Sequence, residues 1–388
     1  MNYKNQNLTR MTSPRGVGAW TLEAPKIDTI KRTLSVIEGR DTFNLDDKNK
    51  FTAGFEYRKD ESEGTRLKKP NTSLSGSSAY DAFDKAAINY MAAYVQDEFR
   101  PDAKWLLIPS VRFDHSDQFS NKVTSNLAAT YNAADDVRIK AVVGQGYKTP
   151  TVNDLYIFWE MYSKNPGSDG QFYVGNPDLK PEKSLSYELS IEKDWGDRST
   201  VHLGVFRNEV KDLIDTYWTG KMTEDEPTVY PGVAGDRVME YRNIPEATLQ
   251  GVELYGSHRL GKDIYLNAGY TFLDAKNKTD GTRLKDRAKH QVTFGVSYQP
   301  ENIYAWDLSF DLVSNINYYF NNGDKSTMGN FVYETKDFTI ANIMTSRHLN
   351  KDTKIYLGID NISNHQNFGP YSDGSLGRMY RVGMEYKF

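Results

Sequence analysis

The sequence predicts an all-β protein, an antiparallel barrel whose strands cross a lipid bilayer. Three observations carry this. The chain ends in an eleven-residue run from Arg378 to Phe388 in which Tyr380, Val382, Met384, Tyr386 and Phe388 share one face. Arg381, Gly383, Glu385 and Lys387 fall on the other, because strand side chains alternate. An apolar face backed by a charged or small one suits a wall with lipid outside and water inside. The same two-residue period recurs along the chain, and tight polar turns alternate with connections that are mostly much longer.

Taken in order, the elements begin after a polar stretch. Asn5, Gln6, Asn7, Thr9 and Arg10 are too polar to face lipid, and no apolar leader follows Met1. Residues 1–27 are therefore expected to be an extracellular loop or the remnant of a truncated strand, with the barrel over 28–388. Trp105, Leu107, Val111 and Phe113 lie opposite Ser110, Arg112 and Asp114, and Tyr187, Leu189 and Ile191 lie opposite Glu188, Ser190 and Glu192. Leu266, Ala268, Tyr270 and Phe272 alternate with Asn267, Gly269 and Thr271. Val292, Phe294, Val296 and Tyr298, then Ile355, Leu357 and Ile359, repeat the pattern. Each approaches the roughly 9–11 residues a tilted strand needs to cross a bilayer. No stretch carries a sustained helical period.

Short turns are expected around Asp46-Asp47, Pro101-Asp102, Asp135-Asp136, Gly196-Asp197, Gly261-Lys262, Pro300-Glu301 and Asn350-Lys351. Long connections are expected at 59–87, 148–181, 218–241, 274–286, 321–334 and 363–377, with only 115–121 short. The last strand ends on the periplasmic side in the ordinary arrangement, which puts every long loop outside. The count is about fifteen strands, and since such barrels are even-numbered, the start of the barrel is expected to lie outside this sequence.

Composition fits this pattern. Hydrophobic residues are 38% of 388, below the roughly 45–50% of globular domains, and the mean hydropathy is −0.67. A barrel tolerates both values because every second strand residue faces water. The 26 tyrosines suit interfacial girdles. The absence of cysteine excludes disulfides and thiolate metal sites. A net charge of −4 without basic clusters argues against nucleic-acid binding.

Three segments then carry a family resemblance. Gly144-Gln145-Gly146-Tyr147-Lys148-Thr149-Pro150 leads through Thr151 to Leu155-Tyr156. Gly175-Asn176-Pro177-Asp178-Leu179-Lys180-Pro181-Glu182 follows, and Asn243 stands ahead of Ala247, Gly251 and Glu253. In this order and spacing they resemble the TonB-dependent outer-membrane receptors, importers of iron–siderophore complexes, cobalamin and haem. The resemblance implies a barrel of about 22 strands around an N-terminal plug. This chain would supply about the last fifteen, with no counterpart of the plug or of the segment that contacts TonB. The residues also have plain readings. Pro177 and Pro181 fix φ and end a loop, Gly251 marks a close backbone approach or bulge, and Glu253 points into the lumen without a catalytic partner.

Aromatic faces suit flat chelates, and neighbouring cations suit anionic ones. On that ground Tyr156, Trp159, Tyr162, Tyr173, Trp218, Tyr319 and Tyr371 are the candidate ligand contacts. Residues 151–175 hold no histidine, which disfavours haem by resemblance to the haem receptors. The six histidines are dispersed and no metal site is expected. No nucleophile–base set or Gly-x-Ser-x-Gly stands out, so no enzyme and no cofactor are expected.

The reading is an outer-membrane receptor-transporter, most simply for an iron–siderophore. Its expected partners are that ligand, the bilayer, TonB through the plug, and the outer-membrane assembly machinery, which would read Phe388. The alternatives are a cobalamin or haem receptor, or a passive porin of about 16 strands.

Overall fold

The computed structural model describes residues 8–10, 26–28, 30–70, 80–82, 85–161, 170–230, 235–284, 287–316, 338–365 and 377–387. Two short strands, β1 (Leu8–Arg10) and β2 (Lys26–Asp28), pair only with each other. The wall begins with β3 (Ile30–Asn44) and β4 (Asn49–Gly64). A small hairpin of β5 (Lys68–Pro70) and β6 (Tyr80–Ala82) lies in the next connection. The wall resumes with β7 (Lys85–Phe99), β8 (Trp105–Ser116), β9 (Lys122–Ala134) and β10 (Val137–Lys148). A helix, α1 (Val152–Tyr156), and the hairpin β11 (Phe158–Met161) and β12 (Gln171–Val174) follow. Then come β13 (Glu182–Trp195), β14 (Ser199–Met222), β15 (Arg237–Leu260) and β16 (Ile264–Asn277). The last are β17 (His290–Tyr298), β18 (Asp307–Ile316), β19 (Phe338–His348), β20 (Thr353–Asp360) and β21 (Met379–Tyr386).

Of the seventeen strands in this sheet, fifteen form the wall, each antiparallel to its neighbour, and β11 and β12 sit at its loop end. Registers align the apolar residues across strands. Ala141 faces Leu189, Leu189 faces Val205, Val205 faces Val252, and Val252 faces Phe272. At the far end Leu357 faces Val382 and Ile359 faces Tyr380. A one-residue slip would turn any of these rows into the lumen, so the band fixes the register. Their exposure is what lipid requires: Leu189 is 52% and Val205 48% exposed without a bilayer.

The opposite face is polar. Near the turn end, the Arg138 guanidinium reaches Glu192 at 3.1 Å and Asp194 at 2.8 Å, and Lys140 reaches Glu192 at 2.6 Å. Glycines there admit aromatic rings lying flat across the wall. A Cβ on Gly383 would meet the Tyr356 ring at 2.1 Å, and one on Gly251 the Phe206 ring at 2.8 Å as well as the Phe272 carbonyl oxygen at 2.0 Å.

Two expectations are corrected. The long connections are shorter than the alternation suggested, because β4 continues to Gly64, β14 to Met222, β15 starts at Arg237 and β16 runs to Asn277. Above the lipid both faces are solvated, so the alternation fades while the backbone ladder continues. The stretch 151–175 is not wholly irregular either: it contains α1, β11 and β12. Five residues are too few to show a helical period.

Candidate ligand site at the loop end

α1 is set by its flanks. The Thr151 hydroxyl accepts from the Asp154 N–H at 3.2 Å, while the Asp154 carboxylate accepts from the Thr151 N–H at 2.9 Å. This reciprocal cap satisfies two helix-end donors. Pro150 before it is fully buried. Val152 and Leu155 insert into an apolar cluster with Leu67, Ala86, Ile88 and Leu179, and Tyr156 packs on its edge. The helix thus fastens the loop end to β7 and to the connection after β4.

From α1 the chain enters β11 and β12. β12 then pairs in parallel with the upper part of β15, the one parallel ladder among the described residues. The result is a short four-stranded sheet, β11-β12-β15-β14, standing above the bilayer. Its register places four candidate or sulfur-bearing side chains in one row. Trp159 faces Tyr173, Tyr173 faces Met239, and Met239 faces Trp218. The rings of Trp159 and Tyr173 stack at 6.5 Å between centroids. The other side of this sheet is a compact aromatic cluster. Phe158 meets Phe172 edge-on at 4.7 Å and stacks on Tyr230 at 5.8 Å, with Val174 and Val238 completing the group.

Cations lie on both ring sets. Arg66 stands 4.1 Å from the Trp159 ring centroid and Lys68 stands 4.2 Å from that of Phe158. Burial holds the Lys68 ammonium below its ordinary value, the mark of a partly desolvated cation, for which an anion is worth more than in water. Such a surface can hold a flat, anionic, aromatic molecule.

The sequence-predicted residues divide accordingly. Trp159, Tyr173 and Trp218 come together in the row, with the Trp218 indole donating to the Lys221 carbonyl at 3.1 Å, and Tyr156 packs at the base. Tyr162, Tyr319, Tyr371 and Phe388 lie outside the described residues. Sequence reasoning missed Arg66 and Lys68. Their only signal was a basic run at the end of β4, which reads equally as a solvated turn.

The motif residues build the floor. The Asn243 side chain donates to the Lys180 carbonyl at 2.9 Å and the Asp212 carbonyl at 2.7 Å, and accepts from the Lys180 N–H at 2.9 Å. Asn176 donates to the Tyr241 carbonyl at 3.0 Å and accepts from the Asp178 N–H at 2.9 Å. Pro177 and Asp178 occupy the corner of a turn closed by the Leu179 N–H donating to the Asn176 carbonyl at 3.3 Å, for which the fixed φ of proline is suited. The two motifs interlock, pinning the returning loop to β14 and β15. Tyr147 donates to the Ser120 carbonyl at 3.2 Å. Gly251 is the close approach its position suggested. Glu253 shares the lumen face, opposite Gly204 and Thr271. Among the described residues no group of three or more His, Asp or Glu is placed to hold a metal ion.

Compared with protein-family models, residues 3–362 match the TonB dependent receptor-like β-barrel. The chain belongs to that family. Vitamin B12 transporter BtuB of Photobacterium profundum is 28% identical over 289 residues, which are 73% of this chain and 39% of that protein. Ferric enterobactin receptor of Pseudomonas aeruginosa is 24% identical over 317 residues, 78% of this chain and 41% of that protein. The chain therefore spans about two fifths of the length of these relatives. A crystal structure of a mutant of the Pseudomonas aeruginosa ferric enterobactin receptor superposes with a TM-score of 0.69 at 19% identity, covering 94% of this chain and 55% of that one. This TonB-dependent receptor barrel is an outer-membrane protein of a family of receptors and transporters. The short turns accordingly mark the periplasmic side and the long loops the outer one.

Proposed function

We propose that this receptor barrel contributes to uptake of an iron–siderophore complex, with residues 28–388 as the C-terminal part of the barrel and 1–27 as an extracellular loop or the remnant of a truncated strand. The observation supporting the ligand class is the pairing of Arg66 with Trp159 and of Lys68 with Phe158 at the loop end. Catecholate chelates present both the ring faces and the negative charge that such pairs attract. The chain itself performs no covalent step in this reading. Capture occurs at the loops, and passage depends on energy delivered by TonB to a plug within the barrel.

The test is direct binding. The full chain, folded in neutral detergent, is titrated with ferric enterobactin, cyanocobalamin and haem, following tryptophan fluorescence. Quenching by ferric enterobactin alone is expected, with Trp159→Ala weakening it roughly 10-fold, the scale of a partly desolvated cation–aromatic contact. Preferential binding of cyanocobalamin or haem would transfer the assignment to that ligand. Absence of any binding, with ion conductance through the barrel instead, would favour a passive pore.

A further inference from the structure

The connection that carries α1 leaves the wall at β10, yet α1 packs over β7, three strands away. At about 4.8 Å per strand that is a reach of roughly 14 Å along the wall. Ala86 and Ile88 supply the apolar part of the landing site. Such contacts set how deep the helix sits, but they are non-directional and leave it free to slide or turn. The next residue on the same face of β7 is Tyr90, and it supplies a directional contact.

Ala93 and Val95 lie opposite Phe113 and Val111 on the lipid face. Tyr90 has the other parity, so its ring stands on the lumen side, against the cluster that holds α1. The Thr149 hydroxyl donates to the Tyr90 hydroxyl oxygen at 3.0 Å. Arg58, directly opposite on β4, braces the ring, with its guanidinium carbon 4.2 Å from the ring centroid. The Arg58 Nε is shielded and makes no hydrogen bond, so at that atom the stacked ring stands in place of an acceptor.

From Thr149 the chain has little slack before the rings of the ligand site. Pro150 is fixed in φ and fully buried, and Thr151 caps α1. The Leu155 N–H donates to the Thr151 carbonyl at 3.2 Å, and the Ile157 N–H to the Asn153 carbonyl at 2.9 Å. The Phe158 N–H then donates to the Arg66 carbonyl at 2.8 Å, which sets Trp159 beside the cation that stands over its ring. A shift at Thr149 therefore reaches the Trp159–Arg66 pair through a bonded backbone.

We propose that Tyr90 is a positioning residue of the loop-end site: its hydroxyl, taken by Thr149, sets the seat of α1 on the wall and thereby the Trp159–Arg66 geometry. Tyr90 itself touches no ligand. The inference rests on the siderophore reading for what the site binds, and not for how the site is held.

The full chain is folded in neutral detergent and titrated with ferric enterobactin. Tyr90→Phe and Thr149→Val each break the hydroxyl pair while keeping the shape of the side chain. Each should weaken binding roughly 5-fold, the scale of one net hydrogen bond. The Tyr90→Phe/Thr149→Val double variant should be no weaker than either single one, because both remove the same interaction. Thr149→Ser, which keeps the hydroxyl, should restore binding. Without ligand, acrylamide quenching of Trp159 is taken as the difference between each protein and its Trp159→Phe derivative. It should rise in Tyr90→Phe and Thr149→Val and return to the parent value in Thr149→Ser, a pattern that general loss of folding would not follow. Parent-like quenching in Tyr90→Phe, additive losses in the double variant, or Thr149→Ser as weak as Thr149→Val would each overturn the proposal. Should the parent not bind ferric enterobactin, the siderophore reading fails, while the quenching series still decides the role of Tyr90. Should Tyr90→Phe fail to fold, Thr149→Val against Thr149→Ser supplies the comparison, and equal quenching in the two would overturn the proposal.

Discussion

Asn243 makes three hydrogen bonds to main-chain groups of two other segments, and no neighbouring side chain duplicates them. Its side chain ties the returning loop at Lys180 to the positive-φ residue Asp212 on β14. Asn243→Ala should therefore lower stability by about 1–3 kcal/mol, the cost of leaving partly buried backbone groups unpaired. Denaturant unfolding of the chain in detergent measures this, and an unchanged midpoint would show that water replaces the amide without loss. Asn243→Asp should be worse than alanine, because a carboxylate oxygen would confront the Lys180 and Asp212 carbonyls. The residue itself was legible as part of a motif with Gly251 and Glu253. Its partner was not, because the Lys180 segment lies more than sixty positions earlier and only the fold brings the two together. Gly251 differs in this respect. A glycine inside an alternating strand announces a close approach wherever its neighbour comes from, and the Phe272 carbonyl supplies it.

Among the elements, the wall strands could be read from alternation because lipid imposes it on each strand separately. The loop-end sheet could not. β12 is four residues long and pairs in parallel with a strand more than sixty residues away, and its side chains are packed on both faces, which erases the two-residue period. α1 is equally silent to periodicity, yet its cap at Thr151 and Asp154 is a local signal of the kind that marks a helix start. Its anchorage rests on Val152 and Leu155, each 1% exposed. Leu155→Ala should cost about 2–5 kcal/mol locally by opening a cavity in the cluster with Ile88 and Leu179. Because β7 is the one wall strand that supplies buried members of this cluster, Ala86 and Ile88 at its loop end, the loss should appear as local opening. Limited proteolysis should then cut within 149–181 faster than in the parent, with the wall fragments unchanged. Uniformly faster cleavage everywhere would mean that α1 supports the whole wall.

For the molecule as a whole, direction along the membrane normal decides what the wall can pair with. β3 and β21 both run from the long-loop side to the turn side. Among the described residues no ladder joins them, and direct pairing would be parallel in a wall that is otherwise antiparallel. Two copies of the chain inserted in the same orientation meet the same obstacle at either edge. Any set of strands between β21 and β3 is therefore odd in number. Exposure agrees with an unpaired edge: on β21 Tyr380 is 71% and Val382 80% exposed, well above Val205 on the interior strand β14. Open edges are costly in hydrocarbon, since their backbone groups have no water to bind. The natural lack of cysteine makes this testable without background. Cysteines placed at Ile37 on β3 and Val382 on β21, both on the lipid face, should form no disulfide within the chain under oxidation. A control pair at Leu357 and Val382, directly opposite in register, should cross-link readily. An efficient Ile37–Val382 bridge within one chain would show that the wall closes on itself, and the parity argument would fail.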